Sequence, residues 1–301
     1  TPRLVARALR DIEAGEELCV SYLAAEALLA PVSSRRQHLQ AAYEFHCQCS
    51  RCSLDFDDVL VFPCPQVSCR GSVRLNSLAA SAAAGGVAPA ASKCTACGME
   101  VPADVVNQLV DWDCRLANEI RRVEQHGALG DMAAEAEECV LGWRIIHPQH
   151  HLTHRIAQHQ YRVHAKTEYV EGMVEAARLW VQAWAPLRKS PCREQARCLE
   201  RLGEALLLRQ DSSAHEPHEQ DLPDEVEQHF RAAHEIASLG HGRDSAYAQT
   251  LLAKLDGIQR RVQRHRPVEQ KQKRRRQRRQ ACKNERRFTE TRGHGLRLMA
   301  L

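Results

Sequence analysis

Residues 33–52 read "SSRRQHLQAAYEFHCQCSRC". The first thirteen have helical spacing, with Ser34 placed to cap the start and Leu39, Ala42 and Tyr43 on one face. The last six hold three cysteines, so a helix delivers the chain into a cysteine knuckle with Phe45 just ahead of it. Cys47, Cys49 and Cys52 offer three thiolates in C-x-C-x2-C spacing, whereas a closed structural zinc site takes four ligands. The fourth is therefore expected from elsewhere in the fold, and Cys19, Cys114 and His46 are the candidates within the chain. The competing reading, three buried thiols that merely pack, has little to recommend so dense a cluster.

A second cysteine set follows. Cys64 and Cys69 form a C-x4-C group and Cys94 and Cys97 a C-x2-C group, followed by Gly71 and Gly98. A glycine just past the second cysteine lets the backbone turn tightly and aim amides at the sulfurs. Four thiolates are present without borrowing, which predicts a self-contained zinc ribbon. Its tip would be the mobile small-residue tract "LAASAAAGGVAPAAS" at 78–92. Seven of the 13 cysteines fall in these groups, a usage that fits zinc thiolates in a reducing compartment better than disulfides. Cys114, Cys139, Cys192, Cys198 and Cys282 are scattered and read as small buried hydrophobes or, in the tail, an exposed thiol.

Upstream, "LVARALRDIEAGEELCVSYL" at 4–23 clusters apolar residues around Gly15 and reads as two short strands, the second from Leu18 to Tyr22. Downstream of Asp104 the sequence is helical almost throughout, with breaks near 127–130, 147–148, 190–191, 211–223 and 240–242. In "YVEGMVEAARLWVQAWAPL", Met173, Ala176, Ala177, Trp180 and Trp184 make one apolar stripe. That segment and "DEVEQHFRAAHEIASLG" look like tetratricopeptide-type helix hairpins. A plain helical bundle is the alternative.

Charge is uneven. Residues 260–288 carry 14 Lys or Arg against 2 Glu, a local +12 that leaves −8 on the rest of a chain whose total is +4. Within that tail, "KQKRRRQRR" at 271–279 is dense enough for a nuclear-import signal or a weak, salt-dependent nucleic-acid contact. Equally, it can be a solvated, disordered end. No interleaved aromatics offer base stacking. No run of about 18 apolar residues spans a membrane. Among 16 histidines, His147, His151 and His154 of "HPQHHLTH" can share a helical face. No carboxylate completes an H-E-x-x-H pattern, so surface or packing roles are expected.

"RDIEAGEELCVSYL" followed by "RRQHLQAAYEFHCQCSRC" resembles the end of a SET domain and the post-SET knuckle of the SET-and-MYND (SMYD) lysine methyltransferases. The pattern rests on Ile12, Gly15, Glu16, Glu17, Leu18, Ser21 and Tyr22, then a basic pair, Phe45 and the three cysteines. "HPQHHLTHRIAQHQY" and the segment 229–255 are similar, more loosely, to the family's helical C-terminal domain. The resemblance implies S-adenosylmethionine as cofactor, Tyr22 as the catalytic tyrosine lining the lysine channel, and Phe45 as the ring packed on adenine. The family's MYND finger, glycine-rich cofactor loop and N-H-x-C segment, whose cysteine closes the knuckle zinc, do not occur here. Together with a first residue that is not Met, this leads us to expect the C-terminal portion of a longer enzyme, inactive alone.

The expected fold is α+β and mainly α. Its layout would be the end of a SET domain with short strands (1–45), the zinc knuckle (46–58), a zinc-ribbon insertion (59–103), a tetratricopeptide-like helical domain (104–259) and a basic disordered tail (260–301). The expected partner is a protein substrate bearing the target lysine, histone or not, met by a monomer in the nucleus or cytoplasm. The rival reading is a non-catalytic zinc-binding helical interaction module. A nuclear nucleic-acid binder driven by the tail is a third.

Overall fold

The computed structural model describes residues 5–66, 68–76, 92–126, 146–187, 191–212 and 222–261, without the side chains of 222 and 223. It is α+β and mainly α. In chain order the elements are α1 (Val32–Tyr43), β1 (Phe56–Pro63), β2 (Ser72–Asn76), β3 (Ser92–Lys93) and β4 (Glu100–Val101). The helices α2 (Ala103–His126), α3 (Thr153–Lys166), α4 (Val170–Ala183), α5 (Arg193–Ser212) and α6 (Leu222–His241) follow. Two compact units divide the chain, Thr1–Leu251 and Leu252–Leu301. Of the second, 252–261 are described, and they are helical with Leu255 and Ile258 buried. Of the loop expected at 78–92 and the tail expected at 260–301, residues 78–91 and 262–301 lie outside the described residues, as do Cys139 and Cys282, while Ser92 is in β3 and 260–261 are helical.

The two expected strands within 4–23 do not form. The turn at Gly15 is present, closed by the Glu16 amide donating to the Glu13 carbonyl at 3.1 Å, with Arg10 paired to Glu16. No residue of 5–25 joins a ladder, and Leu18 and Val20 are 75% and 78% exposed. The physical reason is that alternation alone does not make a strand. Its amides and carbonyls need a partner edge, and none among the described residues supplies one.

Helix α1 also departs from expectation. It begins at Val32, after Pro31, so Ser34 lies inside the first turn and caps nothing. The Val32 amide, which has no partner within the helix, donates instead to the carboxylate of Asp57, at 2.5 Å, from 25 residues downstream. This meets the orphan-donor problem of a helix start from the tertiary side. The buried face is Val32, Arg35 and Leu39, while Ala42 and Tyr43 are exposed. The helix stops at Glu44, which adopts a left-handed φ of 60° and donates its amide to Gln40.

β1 pairs antiparallel with β2, Phe62 opposite Val73, and β3 pairs antiparallel with β4. An isolated bridge between Val73 and Cys94 joins the two hairpins. The strands are short because their core is small. Leu60, Phe62, Val73, Leu75, Val101 and Val106 fill it, and α2 covers it with Leu109, Val110 and Trp112. Burying six such side chains contributes on the order of 10 kcal/mol before chain entropy is charged against it, which leaves so small a sheet in need of a further clamp.

Beyond α2, each helix packs on its successor, α3 on α4, α4 on α5 and α5 on α6. The apolar stripe is where the periodicity puts it, with Met173, Ala176, Ala177, Trp180 and Trp184 all buried. The two segments compared as hairpin partners are α4 and α6, and α5 stands between them in the chain, packed on both. Arg178 of α4 still reaches Glu225 of α6, at 2.9 Å. Small residues set the closest approach, since a Cβ on Gly203 of α5 would lie 2.5 Å from the Phe230 ring of α6. No helix among the described residues is long and apolar enough to cross a membrane.

Candidate functional site

Three clusters of side chains carry chemistry. The first is the ribbon. The sulfurs of Cys64, Cys69, Cys94 and Cys97 all lie within 4.8 Å of one another. Cys64 and Cys97 are 3.8 Å apart and Cys69 and Cys94 3.7 Å. Four sulfurs bound tetrahedrally to one zinc at about 2.3 Å stand about 3.8 Å apart, so the donor set fits that ion as it stands. The Gly71 amide donates to Cys69 Sγ at 3.3 Å and the Ala96 amide to Cys94 Sγ at 3.4 Å. The glycine positions read from the sequence serve this end. A Cβ on Gly71 would meet both Ala96 Cβ and Cys94 Sγ at 2.6 Å, and Gly98 takes a φ of +69°. Electrostatically the set is divided, burial pushing the Cys64 thiol up to about 12 while the amides of Cys97 and Ala96 bring Cys94 down to about 6. A cation at the centre favours the deprotonated form of all four.

The second is the knuckle. Cys47, Cys49 and Cys52 converge, with sulfurs within 4.8 Å. Cys19, Cys114 and His46 do not join them, and among the described residues no other Cys, His, Asp or Glu does. Burial raises Cys52 to about 11. Burial also opposes a thiolate at Cys49, but the amides of Cys52 and Arg51 and the two neighbouring thiols donate to it and lower its pKa. Two arginines that the sequence analysis counts only as part of the motif, with no role of their own, hold this loop. Arg35, buried, donates to the Ala30 carbonyl at 2.6 Å and to Cys52 Sγ at 3.7 Å. Arg51 makes a bidentate pair with Asp58, at 2.7 and 2.9 Å, and reaches the Leu28 carbonyl. The available signal was their density, one in the basic pair and one inside the cysteine motif.

The third is aromatic. Tyr22 stands edge-on to Phe45, ring centroids 5.5 Å apart, and edge-on to Tyr43 at 5.0 Å. The two residues singled out by resemblance are thus in contact, immediately before the knuckle. Tyr43, the last residue of α1, is a third member. Tyr22 is 56% exposed. Such an amphipathic, partly wet cluster offers ring faces and hydroxyls to a ligand at low entropy cost.

The scattered cysteines divide. Cys198 is buried and donates to the Gln195 carbonyl at 3.1 Å, and burial raises the half-buried Cys192 to about 11. Cys114 is exposed, contrary to the packing role expected of it. Of the three histidines, His154 is buried in a packing role as expected. His147 and His151 precede α3 and only His154 lies within it, so the three share no helical face.

No family model matches the chain. Locally it is 44% identical over 57 residues to the histone-lysine N-methyltransferase SMYD3 of Mus musculus and, to the same extent, to that of Homo sapiens. The match covers 19% of this chain and 13% of each relative. Over 52 residues it is 40% identical to Protein SET DOMAIN GROUP 41 of Arabidopsis thaliana, 17% of this chain and 9% of that one. The chain therefore spans a small part of the relatives it matches, and the local similarity points to a relationship with SET-type methyltransferases.

Proposed function

We propose that this chain belongs to an S-adenosylmethionine-dependent protein-lysine N-methyltransferase of SET type, in which it supplies the tyrosine side of the lysine channel, one wall of the adenine pocket and the zinc knuckle. The observation that carries the reading is the edge contact of Tyr22 with Phe45 directly ahead of the three-thiolate loop. S-adenosylmethionine, when bound, supplies a methyl group on a sulfonium centre. Tyr22 orients the neutral lysine amine in line with that carbon through its hydroxyl, with weak C–H···O contacts to the methyl. Phe45 offers its ring face to the adenine. Zinc on the cysteine clusters fixes the loops behind these rings. The helical array, tetratricopeptide-like in its successive packing, faces a lysine-rich protein through the acidic body of the chain, and the basic tail adds a salt-sensitive contact to nucleic acid. The cofactor pocket and the knuckle take their remaining groups from outside the residues described, so the isolated chain is inactive.

A second reading is a zinc-organised interaction module without catalysis, supported by the two converged cysteine clusters and the successively packed helices. Methyl transfer to lysine-rich proteins by the protein that carries this chain separates the two. Tyr22→Phe is expected to lower turnover about 100-fold, the cost of mispositioning a reacting group. Phe45→Ala is expected to raise the cofactor concentration needed by about three- to tenfold, the worth of one ring contact. Wild-type turnover in Tyr22→Phe, or none in the parent with any lysine-rich protein, leaves the interaction module standing.

A further inference from the structure

Outside these clusters, a carboxylate and two imidazoles converge. Asp113 lies on α2, and His150 and His151 lie in the turn that precedes α3, a turn tied to β1 by the His151 amide donating to the Val59 carbonyl at 2.9 Å. His151 Nε2 is 2.7 Å and His150 Nε2 3.5 Å from the same oxygen, Asp113 Oδ1. All three donor atoms lie within 4.8 Å of one another. The His150 side chain is fully buried, its ring 4.8 Å from that of Phe62, and its Nε2 has no hydrogen-bond partner among the described residues. A buried imidazole nitrogen aimed at a carboxylate and bonded to nothing is costly unless something sits between them.

We infer that Asp113, His150 and His151 form a third metal site, for a first-row divalent cation of the zinc class, independent of both cysteine clusters and of the methyltransferase reading. Two imidazoles and a carboxylate suit such an ion and not a purely thiophilic one. Ligands at about 2.0–2.1 Å around one tetrahedral centre stand about 3.3 Å apart. The His150 to Asp113 gap already has that size, and the His151 to Asp113 hydrogen bond opens by about half an ångström to admit the ion. Coordination through Nε2 moves the His150 ring proton to Nδ1, which gives up the contact it now accepts from the Leu152 amide at 3.3 Å. Asp113 and His151 keep 15% and 11% of their side chains exposed. That side is the entry path, and it leaves a fourth position for water. The ion would pin α2 to the turn before α3 and, through Val59, to the first strand of the ribbon.

The test is a cobalt(II) titration of the full chain with zinc already on its cysteine clusters. Cobalt on nitrogen and oxygen ligands gives visible d–d absorption without the sulfur-to-metal charge transfer that thiolates produce. One saturable equivalent of this kind is expected in the wild type, weakened about 100-fold or more by Asp113→Asn and by His151→Gln, both near-isosteric and away from the buried ring. Far-UV circular dichroism checks that each is folded, and if one is not, the other decides. Absence of such an equivalent, or its persistence in the folded variants, overturns the assignment.

Discussion

Gly71→Ala tests whether the ribbon is a metal centre or a set of packed thiols. Its backbone φ lies outside the left-handed range, so alanine is not excluded by conformation; what excludes it is space. The new Cβ would sit 2.6 Å from Cys94 Sγ and 2.6 Å from Ala96 Cβ, where non-bonded carbon contacts settle at about 3.5–4.0 Å. A displacement of about 1 Å must be absorbed, and a zinc–thiolate bond tolerates only about 0.2 Å. Cys94 cannot swing freely, because the Ala96 amide donates to its sulfur and its own amide donates to the Met99 carbonyl at 2.9 Å. The strain therefore falls on the ligand geometry, and zinc affinity is expected to drop about 10- to 100-fold, in line with other losses of ligand support. Competition against a chromophoric chelator measures this, with Gly98→Ala as the companion. There the Cβ meets open space and the cost is left-handed strain alone, about 1 kcal/mol on stability. If Gly71→Ala binds zinc as tightly as the wild type, the four sulfurs are not held as ligands and the ribbon reading fails.

Four further outcomes follow from the packing and the ligand chemistry. Gly203→Ala should lower stability by about 1–2 kcal/mol in chemical denaturation, because overpacking against Phe230 outweighs the roughly 1 kcal/mol that alanine gains in a helix; a stabilised variant would refute the close α5–α6 approach. Arg35→Met should weaken metal binding at the knuckle and cost about 2–3 kcal/mol, the loss of a charged hydrogen bond in a buried setting, and Arg35→Lys should not rescue it, since separate guanidinium nitrogens serve Ala30 and Cys52; equal stability of the methionine variant would refute it. Chelation should remove amide-exchange protection from β1–β4 while α4–α6 keep theirs. Metal retention should rise with pH, because Cys64, raised by burial, must give up its proton to bind; retention unchanged between acid and neutral pH would contradict thiolate ligation.

What could be read from the sequence was local. The spacing of Cys64, Cys69, Cys94 and Cys97 with their trailing glycines encodes a ligand set because each half is a tight loop whose geometry is fixed within a few residues. The stripe from Met173 to Trp184 likewise follows from helical period alone. The failures share one cause. The start of α1 is capped by Asp57, the knuckle is braced by Arg35 and by Arg51 with Asp58, and His151 meets a carboxylate 38 residues away. Apart from Asp58, seven residues from Arg51, none of these partners is visible in a short window. Leu18–Tyr22 is the sharpest case, since its alternating pattern is that of a strand while no described residue offers it an edge to pair with.

The same non-local contacts explain how the clusters are coupled. Asp57 takes the amide that opens α1 and also accepts from the Val59 amide at 3.2 Å, so one buried carboxylate joins the helix feeding the knuckle to the strand opening the ribbon. Burial pushes that carboxyl up, and the two amides and the Arg35 charge pull it back only in part. Ionisation there is supported first by the Val32 and Val59 amides and then by the charge of Arg35, which also donates to Cys52 Sγ. Disturbing the knuckle thiols therefore reaches α1, Asp57 and the ribbon strand in turn, and Val59 carries the same chain on to the turn holding His151. A defect in one cysteine cluster should accordingly be felt at the other through this buried carboxylate, with no shared metal and no direct contact between their sulfurs required.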